Sequence, residues 1–322
     1  MVRHSIRTLL VGLCTLTAAS QAATAVALVA STDQHKVTYN AAKALAPQTR
    51  SDLTTAMKDE AFADAIYSLF GAQADREGHA DIGRLFPNTA QTELNEHLRE
   101  AATLAGIAGG NAANLRQAIS GETYENQIMY RDFATRARQD GDMKAADLFT
   151  EIAADEGRHR DAFRTALDVL TSGRGTIPVP QKADPVAVLA GLPQVNAART
   201  KANLDTAMHG EALAYAKYML FAEQAKQSGN PALARLWEGT AAVELNEHLA
   251  GEAALAGLVR TTKENLDKAV TGERSEATTI YPGFAKQAKA VGDTAADRYF
   301  SNIAADKAER AAAFQQALDQ LR

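Results

Sequence analysis

Glutamates and histidines recur at helical spacing along the first half of the chain: Glu60, Glu93 with His97, Glu122 with Glu125, and Glu156 with His159. Residues three or four apart share one face of a helix, so each pair can aim at a common point. A buried ionised carboxylate is costly unless something compensates it. Five carboxylates and two imidazoles suit two iron ions, or manganese in their place, bridged by glutamates. Zinc favours about four ligands, and calcium seldom takes two histidines. Glu96, beside His97, is an alternative ligand more naturally turned away. Tyr67 and Tyr130 follow Glu60 and Glu122 by two helical turns. Core packing is their default role; the alternative is catalytic, as a hydrogen bond to a ligand carboxylate or as a carrier of an oxidising equivalent.

These residues sit in a repeat. "TELNEHL" at 92–98 returns as "VELNEHL" at 243–249, and "IAADEGRH" at 152–159 returns as "IAADKAER" at 303–310, each 151 residues later. Each half is itself double, because "LTTAMKDEA", "LRQAISGET", "LDTAMHGEA" and "LDKAVTGER" are variants of one helix opening that runs on to a glycine turn at Gly78, Gly141, Gly229 or Gly292. Apolar residues keep helical spacing, as at Leu148, Ile152, Phe163 and Leu167 and their counterparts Tyr299, Ile303, Phe314 and Leu318. The pattern predicts an all-α chain of eight helices in two tandem four-helix bundles, residues 50–170 and 200–322. Ser51, Asn111, Thr200 and Thr262 are placed to cap helix openings. Between the bundles, a linker at 171–199 is rich in proline and glycine and predicts no helix beyond a short turn around Val186–Leu189.

In the second half Glu211, Glu244, His248, Glu273 and Glu276 persist, but Lys307 stands where Glu156 stood and Arg310 where His159 stood. Two cations directed at a cation pocket repel metal. The expectation is a dimetal centre in the first bundle and, in the second, no metal or at most one ion on Glu244 and His248. Lys307 and Arg310 would form a buried ion-pair network with Glu211, Glu244 and Glu273.

The net charge of −5 offers no basic stripe for nucleic acid. Residues 1–25 read as an export signal, with a positive start, an apolar run and a small-residue cleavage pattern ending at Ala25, and residues 26–49 as an uninformative leader. A periplasmic or extracellular protein follows, with an N-terminal membrane anchor as the alternative. Cys14 is the only cysteine and lies within that signal, leaving the mature chain without disulfide or thiolate chemistry.

The stretch "GETYENQIMYRDFATRARQDGDMKAADLFTEIAADEGRHRDAF" resembles the erythrin part of rubrerythrin, a ferritin-like diiron protein. "GERSEATTIYPGFAKQAKAVGDTAADRYFSNIAADKAERAAAF" resembles the second helix pair of the same unit. The likeness spans nearly all of the chain after the signal, as two units in tandem. It implies two ferritin-like bundles, with Glu60, Glu93, Glu122, Glu125, Glu156 and His159 as ligands and His97 as the other histidine. It further implies reduction of peroxide, with Glu125 as a movable ligand; ferrous oxidation, iron storage without turnover and a purely structural bundle are the rival readings. Oxygen or ferrous ion are alternative substrates, and a homo-oligomer is compatible with the resemblance. Two departures stand out: "ELNEH" places histidine four residues after glutamate where the family usually has three, and the family's four-cysteine rubredoxin is missing, so electrons would come from an external donor.

Overall fold

A computed structural model describes residues 44–321; the expected signal at 1–25 and most of the leader lie outside them. The described residues form eight long helices and no strand, four of the helices being interrupted by a π-helical turn. They are α1 (Pro47–Arg76), α2 (Ala80–Thr92, π turn Glu93–Leu98, then Arg99–Ala105) and α3 (Asn111–Tyr124, π turn Glu125–Met129, then Tyr130–Asp140). They continue with α4 (Met143–Ser172), α5 (Ala198–Gln227) and α6 (Pro231–Val243, π turn Glu244–Leu249, then Ala250–Ala256). The last two are α7 (Thr262–Ser275, π turn Glu276–Ile280, then Tyr281–Val291) and α8 (Thr294–Gln320). No described helix is long and apolar enough to cross a membrane.

The apolar spacing is realised: Ile152 and Phe163 on α4 and Tyr299, Ile303, Phe314 and Leu318 on α8 are buried. The turn glycines Gly141 and Gly292 take φ of 81° and 77°, a left-handed geometry that glycine adopts without a Cβ penalty. Helix starts differ from expectation. α1 begins at Pro47, leaving Ser51 inside it, and Thr261 rather than Thr262 caps α7 through a capping box with Glu264. At α5 the Asp142 carboxylate accepts from the amides of Asn196 and Ala197 (2.8 and 3.0 Å), and at α1 Asp293 accepts from Ala46 (2.9 Å). The amides just before these two helices are thus held by acids from another helix junction, and Thr200 lies inside α5 rather than at its cap.

The helices form two ferritin-like four-helix bundles, but not along the boundaries of the repeat. α1 and α2 pack against α7 and α8, while α3 and α4 pack against α5 and α6. One bundle is therefore the continuous block 111–256, and the other joins the N-terminal helix pair to the C-terminal one. This corrects the bundles expected at 50–170 and 200–322. Link length supplies the reason. A ferritin-like bundle needs one long crossover along its axis, and α2, at 26 residues, is about 39 Å long. The link 106–110 spans at most about 18 Å, so α3 cannot return alongside α1 and α2 and enters the neighbouring bundle. The crossover is instead residues 173–197.

That segment is ordered and has no helical turn at Val186–Leu189. It lies along α6: Val186 N donates to Asn246 O (2.9 Å) and Gln194 N to Leu255 O (2.8 Å), with Val188 and Val195 buried. The two bundles meet where α1 packs on α5. There Phe62 stacks on His209 with ring centroids 3.9 Å apart, and Arg99 holds Glu223 on the same side (2.5 Å).

Candidate metal centre

In the 111–256 bundle, α3 contributes Glu122, α4 contributes Glu156 and His159, α5 contributes Glu211, and α6 contributes Glu244 and His248. All six are buried. Their ligand atoms form two overlapping groups, Glu122–Glu156–Glu244–His159 and Glu211–Glu156–Glu244–His248. Glu156 and Glu244 are the shared members, and each presents one oxygen to each histidine. Glu156 Oε2 lies 3.1 Å from His159 Nδ1 and its Oε1 lies 3.2 Å from His248 Nδ1. Glu244 Oε1 lies 3.2 Å from His159 and its Oε2 lies 2.9 Å from His248. Glu122 stands beside His159 alone (3.8 Å) and Glu211 beside His248 alone (3.6 Å). Two carboxylates are thus shared between the two histidines, and each histidine has one further carboxylate beside it, a donor set of the kind that can hold two ions.

Buried polar groups are ordinarily hydrogen-bonded, yet atoms of Glu122, Glu156, His159, Glu244 and His248 have no such partner among the described residues. A cation pair would satisfy them, so the donor set fits two iron or manganese ions. Glu125, at the start of the α3 π turn, is half-buried and outside both groups. Burial, with Glu156 and Glu244 nearby, raises its carboxyl to about 8.

The remaining geometry is held by tyrosines. Tyr130 of α3 donates to Glu211 of α5, and Tyr218 of α5 donates to Glu122 of α3. Tyr130 also reaches Glu252 (3.1 Å), which is fully buried on α6. Against burial, Glu244 and Glu156 raise His159 to about 9. Burial and the neighbouring carboxylates push Glu122 and Glu211 well up. Without metal, protons supply the positive charge this pocket requires.

The seven residues read from the first half as one dimetal centre thus divide. Glu122, Glu125, Glu156 and His159 are in this bundle, whereas Glu60, Glu93 and His97 lie in the other, together with Tyr67. The centre expected in the first half is drawn from both halves, and Glu244 and His248 belong to it rather than to a residual one-metal site. The short link 106–110 was the signal for this. Glu252 gave none, since a glutamate one turn beyond His248 reads as surface charge.

In the terminal bundle, Lys307 is completely buried. Its Nζ lies 3.2 Å from Glu60, 3.2 Å from Glu93, 2.8 Å from Glu276 and 3.9 Å from Glu273. Arg310 reaches Glu93 at 2.5 Å. The expected ion-pair network exists, with Glu60 and Glu93 in the places assigned to Glu211 and Glu244. Although burial opposes charge here, Glu60 and Glu93 hold the Lys307 ammonium well above its usual range. The tyrosine exchange is repeated as well: Tyr281 donates to Glu60, and Tyr67 to Glu273 (2.5 Å).

The π turns explain the spacing of "ELNEH". A π turn adds a residue to the helical repeat and is frequent at functional sites. It lets Glu244 and His248, four apart, converge much as Glu156 and His159 do three apart.

Known proteins are similar to parts of this chain. The rubrerythrin family matches residues 51–167 and 242–318, more than half of the chain. Rubrerythrin of Nitratidesulfovibrio vulgaris is 32% identical over 140 residues, covering 39% of this chain and 73% of that protein. Rubrerythrin of Porphyromonas gingivalis is 31% identical over 139 residues, covering 39% and 69%, and nigerythrin of N. vulgaris is 30% identical over 133 residues, covering 37% and 66%. No solved structure matches the chain. With its duplicated erythrin-like units and clustered glutamates and histidines, the chain belongs to the rubrerythrin family.

Proposed function

We propose that the 111–256 bundle carries a two-iron centre that reduces hydrogen peroxide to water, with electrons from an external donor. The observation that supports this most is the pair of ligand groups sharing Glu156 and Glu244, lined by buried oxygens and nitrogens without partners. Bound there, two iron ions would supply the two electrons that peroxide takes up. Glu156 and Glu244 would bridge the ions; Glu122 with His159 and Glu211 with His248 would complete each end. Tyr130 and Tyr218 hold the terminal carboxylates in place through their hydroxyl hydrogens. Glu125, half-buried and outside the tight groups, is the carboxylate free to move as charge changes. Export is part of the proposal and rests on residues 1–25. The electrons come from a donor outside the two bundles, a protein or a small reductant, because the described helices contain no cysteine to hold a four-cysteine iron site.

The test is elemental analysis after anaerobic ferrous loading and desalting, on the unaltered chain, Glu244→Ala and Glu93→Ala. Two irons per chain are expected, lost in Glu244→Ala and kept in Glu93→Ala; loss in Glu93→Ala alone would refute the assignment. Peroxide consumption with an artificial reductant should then run for many cycles. Accumulation of many ferric ions per chain without peroxide turnover would favour storage instead.

A further inference from the structure

His248 has two ring nitrogens with different surroundings. Nδ1 faces Glu244, Glu156 and Glu211 at 2.9, 3.2 and 3.6 Å. If Nδ1 ligates a metal, the proton must sit on Nε2, and the carboxylate facing Nε2 is Asp155, with Oδ2 at 3.6 Å. The other oxygen of Asp155 is already engaged: Gln181 Nε2 donates to it at 3.0 Å and Arg158 contacts it as well. Arg158 in turn donates to Gln181 Oε1 at 3.0 Å. Gln181 belongs to the 173–197 crossover. The same segment grips the π turn that carries His248, through Asp184 N to Glu247 (3.0 Å) and Val186 N to Asn246 O.

The terminal bundle offers an internal comparison. Asp306, the counterpart of Asp155 one repeat later, faces His97 Nε2 at 3.1 Å. Its side chain is 51% exposed, whereas that of Asp155 is 9% exposed beneath the crossover. The aspartate–histidine contact is thus part of the shared frame, and its covering by Gln181 is found at the metal-competent centre.

We propose that Asp155 and Gln181 are positioning residues for the metal centre: Asp155 accepts the Nε2 proton of His248, fixing its tautomer and ring plane, and Gln181 fixes Asp155. A carboxylate behind a ligating histidine raises its basicity and orients it, and loss of such a partner typically costs about 10- to 100-fold in metal affinity. This inference rests on the metal reading above.

The experiment uses the full chain loaded with cobalt(II) or ferrous ion, in unaltered form and as Asp155→Ala, Asp155→Asn, Gln181→Ala and Asp306→Ala. Metal retention against a chelator and the visible cobalt spectrum are recorded, with thermal melts of the metal-free proteins confirming that each folds. Asp155→Ala should release metal about 10- to 100-fold more readily, with an altered spectrum. Asp155→Asn, which keeps an acceptor, should recover part of this, and Gln181→Ala should show a smaller loss in the same direction. Asp306→Ala should leave both readouts unchanged. Wild-type retention and spectrum in a folded Asp155→Ala protein would overturn the proposal while leaving the metal centre intact. Failure of the unaltered chain to hold metal would overturn both.

Discussion

The two bundles are built on one frame and differ in how they supply positive charge. Both carry π turns at the same places, both exchange tyrosine–glutamate hydrogen bonds between helix pairs, and both bury a ring of carboxylates. In the 111–256 bundle the charge is carried by protons, on His159, Glu122 and Glu211, which the metal proposed there would displace. In the terminal bundle it is covalently fixed, on Lys307 and Arg310. Lys307 and Arg310, on one helix face, thus form an ion-pair core where the other bundle has a donor set suited to metal, within the same frame of helices. The π turns recur in the terminal bundle, where Glu60, Glu93 and His97 still lie close enough to share one ion but Lys307 and Arg310 occupy the space beside them.

The largest expected effect comes from replacing those two cations. Lys307→Glu with Arg310→His would restore the ligand set, and the chain should then bind two ions beyond its usual complement; elemental analysis decides, and an unchanged stoichiometry would break the equivalence of the two frames. Next, Lys307→Met leaves Glu60, Glu93, Glu273 and Glu276 without their central cation and should cost about 3–5 kcal/mol. A loss below about 1 kcal/mol in denaturant titration would show that the network contributes little.

A pH series gives a third, intermediate effect. Burial works against charge on His97, but Glu60 and Glu93 raise it to about 9, and His159 is likewise raised to about 9. A raised folded-state value stabilises fully below the unfolded value near 6.5 and is lost as pH climbs through about 9. The metal-free protein should therefore lose stability between about pH 6.5 and 9. Metal displaces the His159 proton, so the loaded protein should lose less, and its affinity should rise across the same range. Parallel melts at several pH values, with equal slopes for both forms, would contradict this. Smallest, Tyr218→Phe strands Glu122 and should cost about 1–2 kcal/mol in the metal-free protein. Tyr67→Phe should cost less, because Glu273 keeps Lys307 nearby; equal losses in melts would remove the distinction.

Much of the centre was legible in sequence. Glu60, Glu93, Glu122, Glu156, Glu211, Glu244 and Glu273 all face inward as their spacing requires, and the buried role of Lys307 follows from its register with Glu156. Partner choice was harder to read, for a physical reason. α1–α2 and α5–α6 are repeats of each other and offer the same glutamates, histidine and tyrosine to any α3–α4 pair, so side-chain chemistry alone cannot tell which pair meets which. Chain geometry separates them, through a five-residue link too short to cross a bundle and a 25-residue segment long enough to do so. Glu252 and Asp155 escaped because their significance depends on what packs above them: Tyr130 for one, Gln181 for the other.

The continuous nature of the metal-competent bundle also bears on how the chain is assembled. Its tyrosine–glutamate contacts join residues 81 and 96 apart, whereas those of the terminal bundle join residues 206 and 221 apart. By loop-closure entropy alone the difference is worth only about 1 kcal/mol, but synthesis runs in one direction. Every helix of the 111–256 bundle is synthesised before α7 and α8, while α1 and α2 are made first and wait for partners made last. The bundle with the greater chemical responsibility is the one the growing chain can finish first, and its completed α5 face is available to shelter α1 until the chain ends.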